Sequence, residues 1–419
     1  MKVLVVGNGG REHALAWKLL QSANVSQVIC VPGNGGTQTM AGCKNVPLEV
    51  NDFAGIANLT QEEDIAFVVV GPEVPLVAGI TDYLTSKNIK VFGPSQAGAK
   101  IEGSKSWAKE LMVAAGVPTG EAATFTDLQS ALAYVEKIGA PIVVKADGLA
   151  AGKGVTVAST VAEAKDAINI CFQGNFTTVV IEEFLTGQEV SVLALTDGID
   201  FVNLLPAQDH KQVGEGDTGA NTGGMGAYAP TPVVDSKLME RIATEVIQPI
   251  LEVLQQRDID YRGVLYAGLM ITPEGEPKVL EFNARFGDPE TQVILSLLET
   301  PLEELMLACI EQRLGELPPL RWKQGSAVCV VAASQGYPGS YEKGFPIEGI
   351  IQAEDLEAVV FHAGTKLENQ QVVTNGGRVL GITAVGNDFE DAIAKTYEAV
   401  DKVNFTGIFY RKDIGHRVR

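Results

Sequence analysis

The sequence predicts a multidomain α/β protein, with an N-terminal parallel-sheet unit, a small mobile lid and a C-terminal α+β unit. Three observations carry that expectation. The first hundred residues alternate short apolar runs with amphipathic stretches, the rhythm of βαβ units. A glycine-rich loop separates two strand-like runs near residue 150. Past Glu316-Leu317-Pro318-Pro319, which reads as a linker, several strand patterns lead to a closing helix. With 419 residues and 46% hydrophobic content, the chain suffices for roughly three cores.

The elements follow in order. KVLVVG, VSQVICVPG, IAFVVVGPE and KVFGPS read as strands, with helices through Leu20 and around Leu84 between them. Gly7, Gly33, Gly71 and Gly93 mark their C-terminal ends, where a parallel sheet gathers its ligand loops. A helix from Ser104 to Ala115 stops at Gly116-Val117-Pro118. The next unit, about 120–188, has the strand PIVVKADG, the loop AAGKGVTVA, a helix and the strand TTVVIEEFL, and is the expected lid. From Val190 to about Cys309 come strands, the loop GEGDTGANTGGMGAY, a helix near Met239 to Gln256, and a hairpin turning at Glu274-Gly275, and this whole piece is expected to form the catalytic floor. From Gly325 onward there are strands and a helix over Asp391–Val400. These readings divide the chain into domains at 1–103, 104–320 and 321–419.

Composition excludes several function classes. No apolar run approaches the roughly eighteen residues of a membrane span, and MKVLVVGNGGREH lacks the features of a signal peptide, so a cytoplasmic protein is expected. The net charge of -20 argues against nucleic-acid and anionic-membrane partners. The five cysteines show no CxxC spacing and the four histidines never cluster along the chain, which argues against zinc and disulfide frameworks.

In KVLEFNARFGDPE, alternation puts Glu281, Asn283 and Arg285 on one side of a strand. A carboxylate and an amide oxygen suit a hard cation that shares phosphate oxygens, and a guanidinium suits a phosphoryl group. A solvated strand edge explains the same residues. Gly148 to Gly154, GLAAGKG, is not a Walker loop, because three residues separate its glycines and Gly154 replaces the Ser or Thr. Its glycines, Gly152 and Gly154 among them, let backbone amides close over a triphosphate beside Lys145; a solvated hairpin tip is the other reading.

Other segments stay open between two readings. Gly7 to His13 opens a helix after a strand, either as a polar-ligand turn or for packing. Glu12 at the third glycine position, and the missing ribose acid after Cys30, argue against a nicotinamide site. Glu182 to Leu185 and Glu189 are either adenosine contacts or surface groups. In the loop from Gln208 to Tyr228, Asp209, His210 and Lys211 are polar candidates, with His210 equally a solvated loop residue. Lys366 and Arg378, near glycine turns, either clamp a 5'-phosphate or are solvated.

GNGGREHAL, VVGPEVPL, VVKADGLAAGKGV, PAQDHK, GANTGGMGAY and LEFNARFGDPETQ together resemble the phosphoribosylamine-glycine ligase family, also called glycinamide ribonucleotide synthetases, across the whole chain. The resemblance implies an ATP-grasp architecture with a Rossmann-like N-terminal domain that binds phosphoribosylamine. It also implies ATP-dependent ligation of glycine to 5-phosphoribosylamine through a glycyl phosphate, in purine (IMP) synthesis. By the same resemblance Lys105 and Lys145 contact ATP phosphates, with Gly152 and Gly154 above them. Glu182 and Leu185 hold adenine and Glu189 the ribose. Glu281 and Asn283 hold magnesium or manganese, Arg285 steadies glycine or its acyl phosphate, and Asp209 is a further catalytic candidate. Gly10 and Glu73 touch the sugar or its amine, and Lys366 with Arg378 the 5'-phosphate. A monomer is the expected state.

One departure from the wider superfamily concerns GVLYAGLMIT (Gly263 to Thr272), which lacks the additional metal-binding acid found in many ATP-grasp enzymes. Two ions then share Glu281, Asn283 and ATP oxygens, or Glu290 or another acid assists. The rivals are an ATP-grasp enzyme that activates bicarbonate or formate, a nicotinamide oxidoreductase, and a noncatalytic ATP sensor.

Overall fold

The computed structural model describes residues 1–149, 154–174 and 176–419. Its first sheet has five strands, all parallel, in the order Cys43–Asn45, Gln27–Pro32, Lys2–Gly7, Ile65–Val70, Val91–Phe92. Val3 to Val6 are fully buried, as expected of a strand covered on both faces. Helix Gly10–Leu19 follows the turn after Lys2–Gly7, and Glu12 decides the local geometry. Its carboxylate accepts the Gly9 amide at 2.6 Å, and a Cβ at Gly7, Gly9 or Gly71 would run into its side chain. These glycines therefore make room for Glu12.

Helix Lys105–Ala115 is capped by Ser104 and stopped by Gly116 at φ 66°, then the chain enters the lid. The lid is a four-stranded antiparallel sheet, in the order Ala122–Phe125, Val179–Glu183, Ile142–Ala146, Val155–Ala158. Helices Leu128–Ile138 and Val161–Gln173 pack on it, and Ala131, Val135, Ile142 and Ile168 belong to a core cluster of its own.

Opposite stands a second antiparallel sheet, in the order Phe201–Asn203, Gln188–Thr196, Gly263–Ile271, Pro277–Asn283. The last two strands are the expected hairpin, with Gly275 at φ 80° in its turn. The expected helix from Met239 to Gln256 is Ser236–Ile242 and Gln248–Gln256 joined by a π-helical turn, Ala243–Ile247.

The C-terminal sheet corrects one expectation. Strand Gly226–Ala229 pairs with Ser326–Ser334, so part of the middle segment joins the sheet that Arg378–Gly386 and Val359–His362 complete. The glycine-rich loop thus belongs to the C-terminal layer as much as to the catalytic floor. No helix among the described residues is long and apolar enough to cross a membrane.

Candidate active site

A cavity of about 520 Å³ lies where the lid, the hairpin and the first sheet converge. Gly148, Leu149, Gly154 and Val155 line it from the lid, and Glu281, Asn283 and Arg285 from the hairpin strand. Gly152 lies outside the described residues. Lys105, Lys109, Lys145, Lys211, Asp209, Glu73, Glu102 and Glu182 complete most of the charged wall.

Each lysine is held by a definite partner. Lys145 donates to the Leu280 carbonyl at 2.9 Å and lies 3.1 Å from Glu182, bridging the lid to the hairpin strand. Lys109 lies 3.0 Å from the other Glu182 oxygen, so this acid is a buried counter-ion rather than a surface charge. The Lys105 ammonium donates to the Gly148 carbonyl at 2.9 Å, and its amide donates to Asp147 at 2.6 Å. Asp147 thereby adds its charge at the positive end of helix Lys105–Ala115 and ties the glycine loop to that helix. Lys211 lies 2.6 Å from Glu189.

The donor set fits a hard divalent cation. Burial pushes the Glu281 carboxyl up, but Lys211, Lys145, Lys105 and Arg285 outweigh it and hold the group below its ordinary value, hence ionised. Asn283 offers an amide oxygen, which accepts from Arg285 at 3.3 Å. Glu290 lines the same cavity, with one oxygen accepting from Tyr266 at 2.8 Å and from Ser191 at 3.1 Å. Asp209 is buried, and burial raises its carboxyl to about 7 despite Lys211.

A second, more open cavity of about 740 Å³ adjoins the first. Lys366 and Arg378 line it with Asn8, Gly33 and Asn34, and Arg378, Asn8, Gly9 and Asp288 line both. Arg378 donates to the carbonyls of Asp288 at 2.8 Å and Gly224 at 3.3 Å, which fixes it at the junction. Lys366 is half-exposed beside Glu368 at 3.1 Å.

The expected residues do not all converge. Leu185 and Glu189 are absent from the lining of both cavities; Leu185 is buried, and Glu189 instead anchors Lys211. Gly10 is also absent from both linings, because a Cβ there would meet Gln292, whereas its neighbours Asn8 and Gly9 are present. The histidines form two pairs, with ring centroids 5.4 Å apart for His13 and His362 and 5.2 Å for His210 and His416. His210 is fully buried, not a solvated loop residue. Its neighbour Asp217 already pairs with Arg411 at 3.0 Å and Arg417 at 2.7 Å, so a cation there gains no uncompensated charge.

Sequence reasoning missed Glu102, Lys109 and Asp288. Asp288 lay within the quoted FGDPE run, whereas Glu102 and Lys109 sit in helices whose local pattern sets them apart from no other surface charge.

A glycine flap facing a carboxylate, an amide and a guanidinium across one cleft, on this pair of antiparallel sheets, defines an ATP-grasp protein. Models of the phosphoribosylglycinamide synthetase N domain, ATP-grasp (A) domain and C domain match residues 1–102, 103–291 and 327–417. A phosphoribosylamine–glycine ligase of Nostoc sp. is 64% identical, with both chains covered in full. The crystal structure of a phosphoribosylamine–glycine ligase from Thermotoga maritima superposes with a TM-score of 0.85 at 35% identity, over 99% of this chain and 100% of that one. The biotin carboxylase domain of a Hydrogenobacter thermophilus 2-oxoglutarate carboxylase shares the fold, with a TM-score of 0.75 at 15% identity over 98% of this chain and 91% of that one. The chain belongs to the phosphoribosylglycinamide synthetase family.

Proposed function

We propose that this ligase joins glycine to 5-phosphoribosylamine at the expense of ATP, giving glycinamide ribonucleotide, ADP and phosphate in de novo purine synthesis. ATP lies between the lid and the hairpin strand, with Lys105, Lys145 and the Gly154 amide toward its phosphates. Glu182 and Leu185 are assigned to the adenine side and Glu189, which holds the cleft-lining Lys211, to the ribose side. Glu281 and Asn283 would hold magnesium or manganese, which supplies neutralisation of the phosphate oxygens when bound. Arg285 is positioned for the glycine carboxylate or its acyl phosphate, with Asp209 as a further polar group.

The glycine carboxylate attacks the γ-phosphorus, ADP leaves, and the 1-amino group of phosphoribosylamine displaces phosphate from glycyl phosphate. Positioning and charge neutralisation suffice, with no covalent protein nucleophile. Glu73 and Gly10 are assigned to the sugar and its amine, Gly10 through its cavity-lining neighbour Gly9, and Lys366 with Arg378 to the 5'-phosphate. The domains divide at 1–103, 104–320 and 321–419, and the enzyme works as a cytoplasmic monomer.

One observation carries this reading: Gly148, Leu149 and Gly154 of the lid and the trio Glu281, Asn283 and Arg285 line one cavity, which abuts that of Lys366 and Arg378. A coupled ADP-release assay with freshly generated phosphoribosylamine tests it. Glycine should support release; serine, bicarbonate and formate should not, and release with bicarbonate or formate would transfer the chain to the rival activities.

A further inference from the structure

Arg285 is gripped from the N-terminal side by a residue that no motif marks. Glu102 ends helix Gln96–Gly103, and its side chain is almost wholly buried at 7% exposure. One carboxylate oxygen lies 2.8 Å from Arg285 Nη2, and the other accepts the Ala284 amide at 2.8 Å. A single side chain therefore fixes both the guanidinium and the main chain just beyond Asn283. The remaining contacts of Arg285 are weaker: Nη1 donates to the Phe286 carbonyl at 3.1 Å, and Nη2 to Asn283 at 3.3 Å. Its Nε is buried without a hydrogen bond, 3.5 Å from Glu73. The Nε edge therefore faces Glu73 and the Nη2 edge faces Glu102, so two acids set the orientation of a guanidinium that lines the cleft.

Burying a carboxylate is costly, and a merely structural contact at this place needs no charge. Burial raises the Glu102 carboxyl while Arg285 opposes the rise. Helix Gln96–Gly103 packs on the segment that carries Glu73, since a Cβ at Gly103 would touch Val77. Both acids thus reach Arg285 from the N-terminal unit, which the reading above assigns to the amine substrate.

We propose that Glu102 is a positioning residue for phosphoryl transfer, holding Arg285 and the backbone beside Asn283 in register. The inference rests on the proposed role of Arg285, and a double-mutant cycle separates the two. Glu102→Gln should lower kcat about 100-fold, as expected for a displaced catalytic donor, with KM for ATP changed less than about threefold. Arg285→Met should lower kcat by at least as much, and the double variant should match Arg285→Met alone. ADP binding, measured by calorimetry on each purified variant, should stay within about threefold of the parent. Unchanged kcat in Glu102→Gln, or multiplicative losses in the double variant, overturns the role of Glu102. Loss of ADP binding in Glu102→Gln makes the residue structural and equally overturns it. Full activity in Arg285→Met instead overturns the reading of Arg285 itself.

Discussion

Glu281 keeps its charge inside a cleft because ammonium and guanidinium groups line the same walls. Those cations need an anion as much as it needs them. Glu281→Gln keeps the shape and removes the charge. It should lower turnover by about 100-fold or more while leaving the thermal transition cooperative, and retained activity at ordinary magnesium would take the residue out of the chemistry.

The buried histidines give a second residue-scale expectation. His13 accepts the His362 amide on Nδ1 at 2.7 Å, so its ring is neutral, and burial drops the His362 ring to about 4. A base depressed in the folded state is protonated first in the unfolded chain. Stability is therefore complete above the ordinary value near 6.5 and falls as pH drops from there toward about 4. His362 alone accounts for up to about 3 kcal/mol of that loss. Urea titrations of the parent and of His362→Gln between pH 7 and 4.5 should show a shallower decline in the variant; parallel declines would exonerate this ring.

At the scale of elements, the C-terminal tail matters more than its position in sequence suggests. Arg417 donates to the Asp209 carbonyl at 3.0 Å, Arg411 to the Gln212 carbonyl at 3.0 Å, and His210 accepts the Gly415 amide at 3.2 Å. The tail therefore buttresses the segment that carries Asp209 and Lys211 into the cleft. Arg411 is fully buried between Asp217 and Asp413, so Arg411→Met leaves Asp413 without its guanidinium and Asp217 with Arg417 alone, and should cost about 3 kcal/mol in denaturant unfolding. A loss below about 0.5 kcal/mol would class the pairs with exposed ion pairs. By contrast, three of the lid strands and the late hairpin were legible in sequence, because period-two alternation and glycine turns are local signals, whereas the edge strand Ala122–Phe125 and helix Leu128–Ile138 were not read. The membership of Gly226–Ala229 in the C-terminal sheet was not, since strand pairing over such separations leaves no local mark.

For the whole molecule, the separate core of the lid predicts independent motion. Residues such as Ile142, Ala158 and Ile181 cluster apart from the larger cores, so the lid should open at lower free energy than the sheets it faces. Amide hydrogen exchange should be faster across 122–183 than in Lys2–Gly7, and ATP with magnesium should slow it there. Exchange indifferent to nucleotide would remove flap closure from the mechanism. On the proposed mechanism, closure would keep water away from the glycyl phosphate.

The sequence by itself determined the parallel sheet, the glycine-rich loop between two strands, the late hairpin and the presence of Glu281, Asn283 and Arg285 at alternate positions of one segment, because periodicity and turn chemistry act over a few residues. Tertiary structure alone decided that Glu102 grips Arg285 across 183 positions, that Glu182 is a buried counter-ion, and that histidines distant in sequence meet in pairs. Charges inside a cleft take partners by spatial proximity, which has no period for a sequence to reveal.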